Sequence, residues 1–286
     1  MKELVVVSGK GGTGKTSFTA SFAQLSKNKI ALGDCDVDAA NLALLMPGDD
    51  QHSEPFFAGQ HAKVDEALCT GCAACSDVCR YNAIQVIDNL ATVKKLACEG
   101  CRSCSVVCPT DAITFKDNQA GTLFTRETSS GPMIYAELGI AQDNSGKLVA
   151  EVRKQTIKAA ENQGIELAIF DGPPGIGCPV HAAIGGVHLI IAVTEPSSSG
   201  LHDLERMIEL STHFNLRTVV IINKYDLSPA TTKEIELRTL ALGSKVIGKI
   251  HFDERVPKVL SQGLSPLAVP AIKEQLEIIW QKILKE

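Results

Sequence analysis

The chain has 286 residues, 44% of them hydrophobic and 21% charged, with a formal net charge of -5. That composition excludes a disordered or fibrous chain, and the acidic balance argues against nucleic acid or an anionic membrane surface as the main partner. Met1-Lys2-Glu3 is followed by only four apolar residues, so no targeting segment is expected, and no apolar run approaches the ~20 residues of a membrane span. A cytoplasmic location is the expectation, and there ten cysteines point to metal rather than to a disulfide framework.

Leu4 to Val7 reads as a short strand, and Gly9 to Thr16 behind it fits G-x-x-x-x-G-K-[ST]. Phe18, Phe22 and Leu25 then recur at i, i+4 and i+7, as on the apolar face of a helix. Strand, glycine loop and helix together make a phosphate-binding loop. Glycines at Gly9, Gly11, Gly12 and Gly14 let successive N–H groups, that of Thr13 included, turn toward an anion, and the new helix adds its positive dipole end. In that arrangement Lys15 reaches the β- and γ-phosphates and the Thr16 hydroxyl takes a place on Mg²⁺.

The early lysine, Lys10, is not required by the general motif. Lys-Gly-Gly-Thr-Gly-Lys-Thr resembles the deviant Walker A loop of the MinD/ParA/Mrp family of ATPases, to which the nitrogenase iron protein also belongs. The resemblance implies a homodimer with ATP at its interface, Lys10 reaching the partner's phosphates. Lys29 to Asp34 reads as a second strand, and the stretch Asp34 to Leu42 resembles the family's switch I. It implies that Asp36 orients the attacking water, that Asp38 competes for that role, that Asp34 lies near the magnesium and that Asn41 lies on the switch.

From Met46 to Gly59 the sequence reads as a linker, rich in Pro, Gly, Asp, Ser and His. Beyond it stand Cys69-x-x-Cys72-x-x-Cys75-x-x-x-Cys79 and Cys98-x-x-Cys101-x-x-Cys104-x-x-x-Cys108-Pro109, offset by 29 residues. The repeat continues, Ala83-Ile84 matching Ala112-Ile113 and Val86 matching Phe115. This is the spacing of two-cluster bacterial ferredoxins, in which the fourth cysteine of each run serves the other cluster. One 4Fe-4S cluster is expected on Cys69, Cys72, Cys75 and Cys108, the other on Cys98, Cys101, Cys104 and Cys79. Zinc is the alternative metal, and Arg80 departs from the pattern where proline is usual.

The cysteine-rich segment ends near Asp117, and Gln142 to Lys147 reads as a polar turn with Lys147 in solvent. Leu167 to Gly175 reads as a Walker B strand running into switch II, with Asp171 on the magnesium. Cys178, seven residues on, stands at the interval of the nitrogenase iron protein's cluster cysteine, though a small packing residue is the preferred reading. Val187 to Thr194, Thr218 to Ile222 and Val246 to His251 supply further strands. Asn223-Lys224-Tyr225-Asp226 matches the guanine-reading Asn-Lys-x-Asp motif, so Asn223 and Asp226 are expected at the base and GTP stands as an alternative to ATP. Asp253 falls in the loop that flanks the base in relatives. Ile272, Leu276, Ile279, Trp280, Ile283 and Leu284 share one face of a terminal helix, expected to dock on the chain's own sheet rather than on a membrane.

The expected architecture is a mostly parallel α/β P-loop NTPase domain, residues 1–58 and 118–286, interrupted by an α+β ferredoxin domain at 59–117. The resemblance covers essentially the whole chain. It implies an ATP-hydrolysing, nucleotide-gated iron-sulfur dimer that passes electrons, or delivers an iron-sulfur or other metal cofactor, to a protein partner. A positioning or regulatory ATPase with the clusters as a redox sensor is the alternative.

Overall fold

The four apolar residues after Glu3 form the middle of strand β1 (Lys2–Ser8), and each is fully buried. The computed structural model describes residues 1–139 and 144–286. The chain divides into a larger unit, Met1–Glu54 with Leu123–Glu137 and Ser145–Glu286, and a smaller one, Pro55–Thr122 with Leu138–Asn144. After β1 come α1 (Lys15–Leu25), β2 (Ala31–Asp34), a 3₁₀ turn at Leu42–Leu44 and β3 (Gly48–Val64). The cysteine runs contribute α2 (Ala74–Asp77), β4 (Ile84–Ile87), β5 (Leu90–Val93) and α3 (Ser103–Val106). Next come β6 (Ile113–Thr128), β7 (Gly131–Leu138), α4 (Ser145–Asn162), β8 (Leu167–Pro174), α5 (Cys178–Ile184), β9 (Leu189–Thr194) and α6 (Ser198–His213). The chain closes with β10 (Thr218–Asn223), α7 (Pro229–Ala241), β11 (Lys245–Ile250), α8 (Arg255–Leu260) and α9 (Pro270–Ile283).

Nine strands share one sheet in the order β11-β10-β9-β1-β8-β2-β7-β6-β3, and every pairing from β11 through to β7 is parallel. Helical crossovers cover a parallel sheet on both faces, which is why β9 and β10 read as unbroken apolar runs. Parallel strands also bring their carboxyl ends to one edge. The residues just past β1, β2, β8, β9 and β10 therefore gather there, where open α/β sheets bind ligands.

The terminal helix α9 buries Ile272, Leu276, Ile279, Trp280 and Ile283, whereas Leu284 lies just beyond its end and is exposed. Trp280 stacks on Phe22 of α1 at 5.3 Å between ring centroids. Gly248 makes the approach possible, since a Cβ on it would stand 2.3 Å from Ile279 Cγ1. Among the described residues no helix is long and apolar enough to cross a membrane.

Two readings are corrected. The expected linker over Met46 to Gly59 is mostly strand, because β3 begins at Gly48; its residues up to Pro55 are all exposed, and an edge strand with no buried face carries no apolar alternation to read. Lys147 sits in the first turn of α4, not in a polar turn, while Gln142 and Asp143 lie outside the described residues.

In the smaller unit the duplication is conformational as well as sequential. Gly71 and Gly100, Ala73 and Arg102, and Asn82 and Asp111 are pairs 29 residues apart, and all six have positive φ. α2 and α3 start at the same offset, and β4 pairs with β5 as an antiparallel hairpin. Its core consists of Ala62, Cys75, Ile84, Ala91, Cys104 and Ile113, so two of the expected ligands are themselves core residues.

Truncating Trp280 empties the seat beneath Phe22, and the Trp280→Ala chain is expected to lose about 3–5 kcal/mol of stability, read from its denaturant midpoint.

Candidate functional site

The phosphate loop leaves β1 at Ser8 and turns through Gly12 and Gly14, whose φ values of 80° and 100° suit residues without a Cβ. At Gly14 a Cβ would also stand 2.9 Å from Asn223 Nδ2. Gly11, Gly12, Gly14, Lys15 and Thr16 line a cavity of about 640 Å³, with Asp36, Asp38 and Asn41 facing them. Gly9 does not line it; it is needed as glycine because a Cβ there would run into Asp203 of α6. Thr13 is 1% exposed, and its hydroxyl has no hydrogen-bond partner among the described residues. An orphaned hydroxyl inside a nest of amides is what a loop awaiting an anion leaves behind.

Behind the loop, Thr16 Oγ1 donates to Asp171 Oδ2 at 2.6 Å and Thr19 Oγ1 donates to Asp171 Oδ1 at 3.0 Å. Asp171 is fully buried, and burial pushes its carboxyl up to about 6 against the hydrogen bond from Thr16 and the charge of Lys15. Asp34, its register partner on β2, is buried as well and held well above the usual carboxylate range, first by burial and then by the charge of Asp171. Asp34, expected near the magnesium, lies beside Asp171 and off the cavity wall. Its Oδ1 accepts from the Asp36 amide and its Oδ2 from those of Asn41 and Leu42, so the side chain pins the switch I segment. Asp36 stands 3.9 Å from Lys15 Nζ, and its carboxyl is raised by burial, the lysine opposing and Asp38 adding.

Other expected site residues fall elsewhere. Asn223 lines the cavity and donates to the Thr13 carbonyl at 2.9 Å, tying the end of β10 to the loop. Asp226 is not on the cavity wall; its Oδ1 accepts from the Phe252 amide at 2.6 Å, so it braces the loop that carries Asp253. Asp253 does line the cavity, held below the usual carboxylate range by its hydrogen bonds from Arg255. Lys10 lies outside the cavity wall, its ammonium on Glu195 at 2.5 Å. Cys178 is exposed at the start of α5. Thr19 and Glu195 escaped the sequence reading: Thr19 is one helical turn past Lys15 and could have been suspected, whereas Glu195 gives no local signal.

In the smaller unit, Cys69, Cys72, Cys75 and Cys108 line one small cavity and Cys79, Cys98, Cys101 and Cys104 line another. The amides of Ala62, Ala83 and Ala112 donate to the sulfurs of Cys98, Cys79 and Cys108 at 3.3–3.4 Å. Among the described residues no three His, Cys, Asp or Glu side chains close on one point as a single ion needs.

A carboxyl with a raised folded-state value keeps a proton that the unfolded chain has released, so Asp171 costs stability as pH rises from ~4 to ~6 and the cost is complete above that. In Mg²⁺- and nucleotide-free buffer, Asp171→Asn is expected to flatten this loss and to stabilise the chain at pH 7 by on the order of 2 kcal/mol relative to wild type, measured by denaturant titration across pH.

The model of the CobQ/CobB/MinD/ParA nucleotide binding domain matches residues 4–267. An uncharacterized protein of Methanocaldococcus jannaschii is 33% identical over 262 residues, 91% of this chain and 87% of its own. Among solved structures, the MinC:MinD cell division complex of Aquifex aeolicus matches with a TM-score of 0.59 at 17% identity, covering 100% of this chain and 96% of that one. MinD of Pyrococcus horikoshii, complexed with Mg-ADP, matches with a TM-score of 0.56 at 17% identity over 99% and 95%. With a parallel sheet, a glycine loop over its carboxyl edge and a family match across nearly its whole length, the chain belongs to the CobQ/CobB/MinD/ParA nucleotide-binding family.

Proposed function

We propose that the chain is an ATP-hydrolysing switch of the MinD/ParA type that closes two copies around nucleotide. The observation that carries the reading is the set Lys15, Thr16 and Asp36 on the wall of the 640 Å³ cavity, with Asp171 bonded to Thr16 behind it. The amides of Gly11 to Gly14 receive the phosphates, and Lys15 leaves Asp36 for the β- and γ-oxygens. Thr16 turns its hydroxyl from Asp171 to the Mg²⁺ of the MgATP substrate, which leaves the Asp171 carboxylate free to hold a metal-bound water. That ion also relieves a buried charge that the free chain meets with two threonine hydroxyls and the charge of Lys15. Asp36, released from Lys15, orients the attacking water, with Asp38 beside it on the wall. Lys10 of each copy reaches the partner's phosphates. The use of Asp226 on the Phe252 amide supports ATP over GTP.

The same reading places two 4Fe-4S clusters on the eight cysteines, in the crossed sets that line the two cavities. Clusters held there supply one-electron chemistry. The comparisons lend more support to a positioning or regulatory output than to electron transfer, since the solved neighbours are cell division and partition ATPases. The sorting of the cysteines favours a second reading: nucleotide-gated electron transfer, or delivery of a metallocofactor to a protein partner.

Anaerobic purification with iron counted per chain, followed by EPR of the dithionite-reduced protein with and without MgATP, tests these readings. Two interacting 4Fe-4S signals that move with nucleotide favour redox or cofactor work; signals indifferent to nucleotide favour the positioning reading, and absent iron defeats the cluster assignment. Cys108→Ser is expected to alter the cluster on Cys69, Cys72 and Cys75 and spare the other, opposite to a ligand set drawn from one run. Lys15→Ala is expected to lower the rate of phosphate release by at least about 10²-fold.

A further inference from the structure

Lys10 is fully engaged in the free chain. Its ammonium has three protons and three acceptors: Glu195 Oε1 at 2.5 Å, and Ser197 Oγ and Ser199 Oγ at 3.3 Å each. Two of those hydroxyls belong to the start of α6, where Ser197 also caps the helix by accepting from the Gly200 amide. No donor on Lys10 is left for a phosphate.

Sheet register builds this arrangement. In the parallel pair β1 and β9, Val7 stands opposite Ala192, and Lys10 and Glu195 each come three residues later. On the other side of β9, Ile222 of β10 stands opposite Thr194, which brings Lys224 next to Glu195. Lys224 takes the second oxygen of Glu195 at 3.3 Å and, unlike Lys10, also lines the nucleotide cavity. Its φ of 55° is one that a lysine adopts only under constraint. Three adjacent strands thus deliver Lys224, Glu195 and Lys10 as a row across the sheet's carboxyl edge, the carboxylate between the two cations. Burial of Glu195 works against its ionisation, but the hydrogen bond from Lys10 and the charges of both lysines outweigh it and hold the carboxyl below its ordinary value.

We propose that Glu195 is a positioning residue that holds Lys10 on its own subunit, and that release of Lys10 from Glu195 is a step in closing a second copy around bound nucleotide. The proposal rests on the reading of Lys10 as a group that acts on the partner's phosphates. Lys224 makes the release cheap. When Lys10 leaves, the partly buried carboxylate keeps one cation, so no charge is stranded. A triphosphate offers Lys10 more negative charge than a diphosphate does, and either has to compete with a carboxylate already shared with Lys224. The latch therefore sharpens the difference between the two nucleotides, and it discourages dimers without nucleotide.

The test is self-association of the full chain, measured by sedimentation velocity with Mg²⁺ and a non-hydrolysable ATP analogue. Glu195→Gln is expected to tighten the nucleotide-dependent dimer by about three- to tenfold, the span of a partly exposed ion pair. Its thermal midpoint and the analogue's affinity for the dilute monomer are expected to stay at wild-type values. Ser199→Ala removes a hydroxyl that stands 3.3 Å from the Ser197 hydroxyl but leaves the cap bond from the Gly200 amide in place, and is expected to shift the dimer the same way by about twofold, so the idea is testable even where Glu195→Gln folds poorly. Lys10→Ala and the Lys10→Ala/Glu195→Gln pair are expected to be equally deficient in dimerisation. A Lys10→Ala chain that dimerises like wild type overturns the reading of Lys10 itself, and the latch with it. A deficient Lys10→Ala chain beside Glu195→Gln and Ser199→Ala chains no tighter than wild type overturns the latch alone.

Discussion

Two carboxylates buried side by side at the ends of neighbouring parallel strands are the constraint on which the larger unit depends. Asp34 and Asp171 are register partners on β2 and β8, and neither reaches solvent. Burying such a pair costs several kcal/mol unless hydrogen bonds or a cation offset it. Each finds its partners in a different moving part. Asp34 holds the amides of residues 36, 41 and 42, whereas Asp171 holds Thr16 and Thr19 at the start of α1. The same charge problem thereby fixes switch I on one side and the phosphate loop on the other. A divalent cation entering beside Thr16 acts on both, because the like-charge repulsion it relieves is shared across the pair.

This shared burden also explains the division of labour among the lysines. Lys15 is 6% exposed and sits near Asp36, so the cavity keeps a cation where a phosphate will come. Lys10, about a third exposed at its side chain, is held outside the cavity by a carboxylate that has a second cation in reserve. One lysine lines the cavity and the other is held off its wall. The distinction arises from strand order: β1 lies between β8, which brings Asp171, and β9, which brings Glu195.

What the sequence made legible was whatever is encoded locally. The loop from Gly9 to Thr16 declares its backbone geometry through its glycines, Asp171 declares a buried strand end through the apolar run before it, and the cysteine spacing fixes which sulfurs can share a site. Contacts created by register were not legible. Glu195 meets Lys10 across 185 residues only because β9 pairs with β1. The bonds that Asp34 accepts were not legible either, because nothing in the sequence reveals that the chain folds back to present the Asn41 and Leu42 amides. Asp226 matched a base-reading motif, yet the match holds in one dimension only, since the Phe252 amide claims the carboxylate. Strand β3 was missed for the opposite reason: at the sheet's edge, with its first residues all exposed, it has no apolar pattern to display.

The smaller unit is governed by a different economy. Among the described residues its packed core cluster is six residues, two of them cysteines, and units with so small a core rarely hold together without a metal or covalent staple. The crossed assignment of the fourth cysteine then has a mechanical meaning. Cys79 stands with the second run and Cys108 with the first, so whatever occupies either cavity ties both halves of the duplication. The six matched residues with positive φ point the same way: glycine accounts for only two of them, and a chain accepts Ala73, Arg102, Asn82 and Asp111 in that region when a wider requirement holds the backbone there. The common requirement is a turn around each cavity, which places the cause of the local strain at the centre of the unit rather than in any one loop.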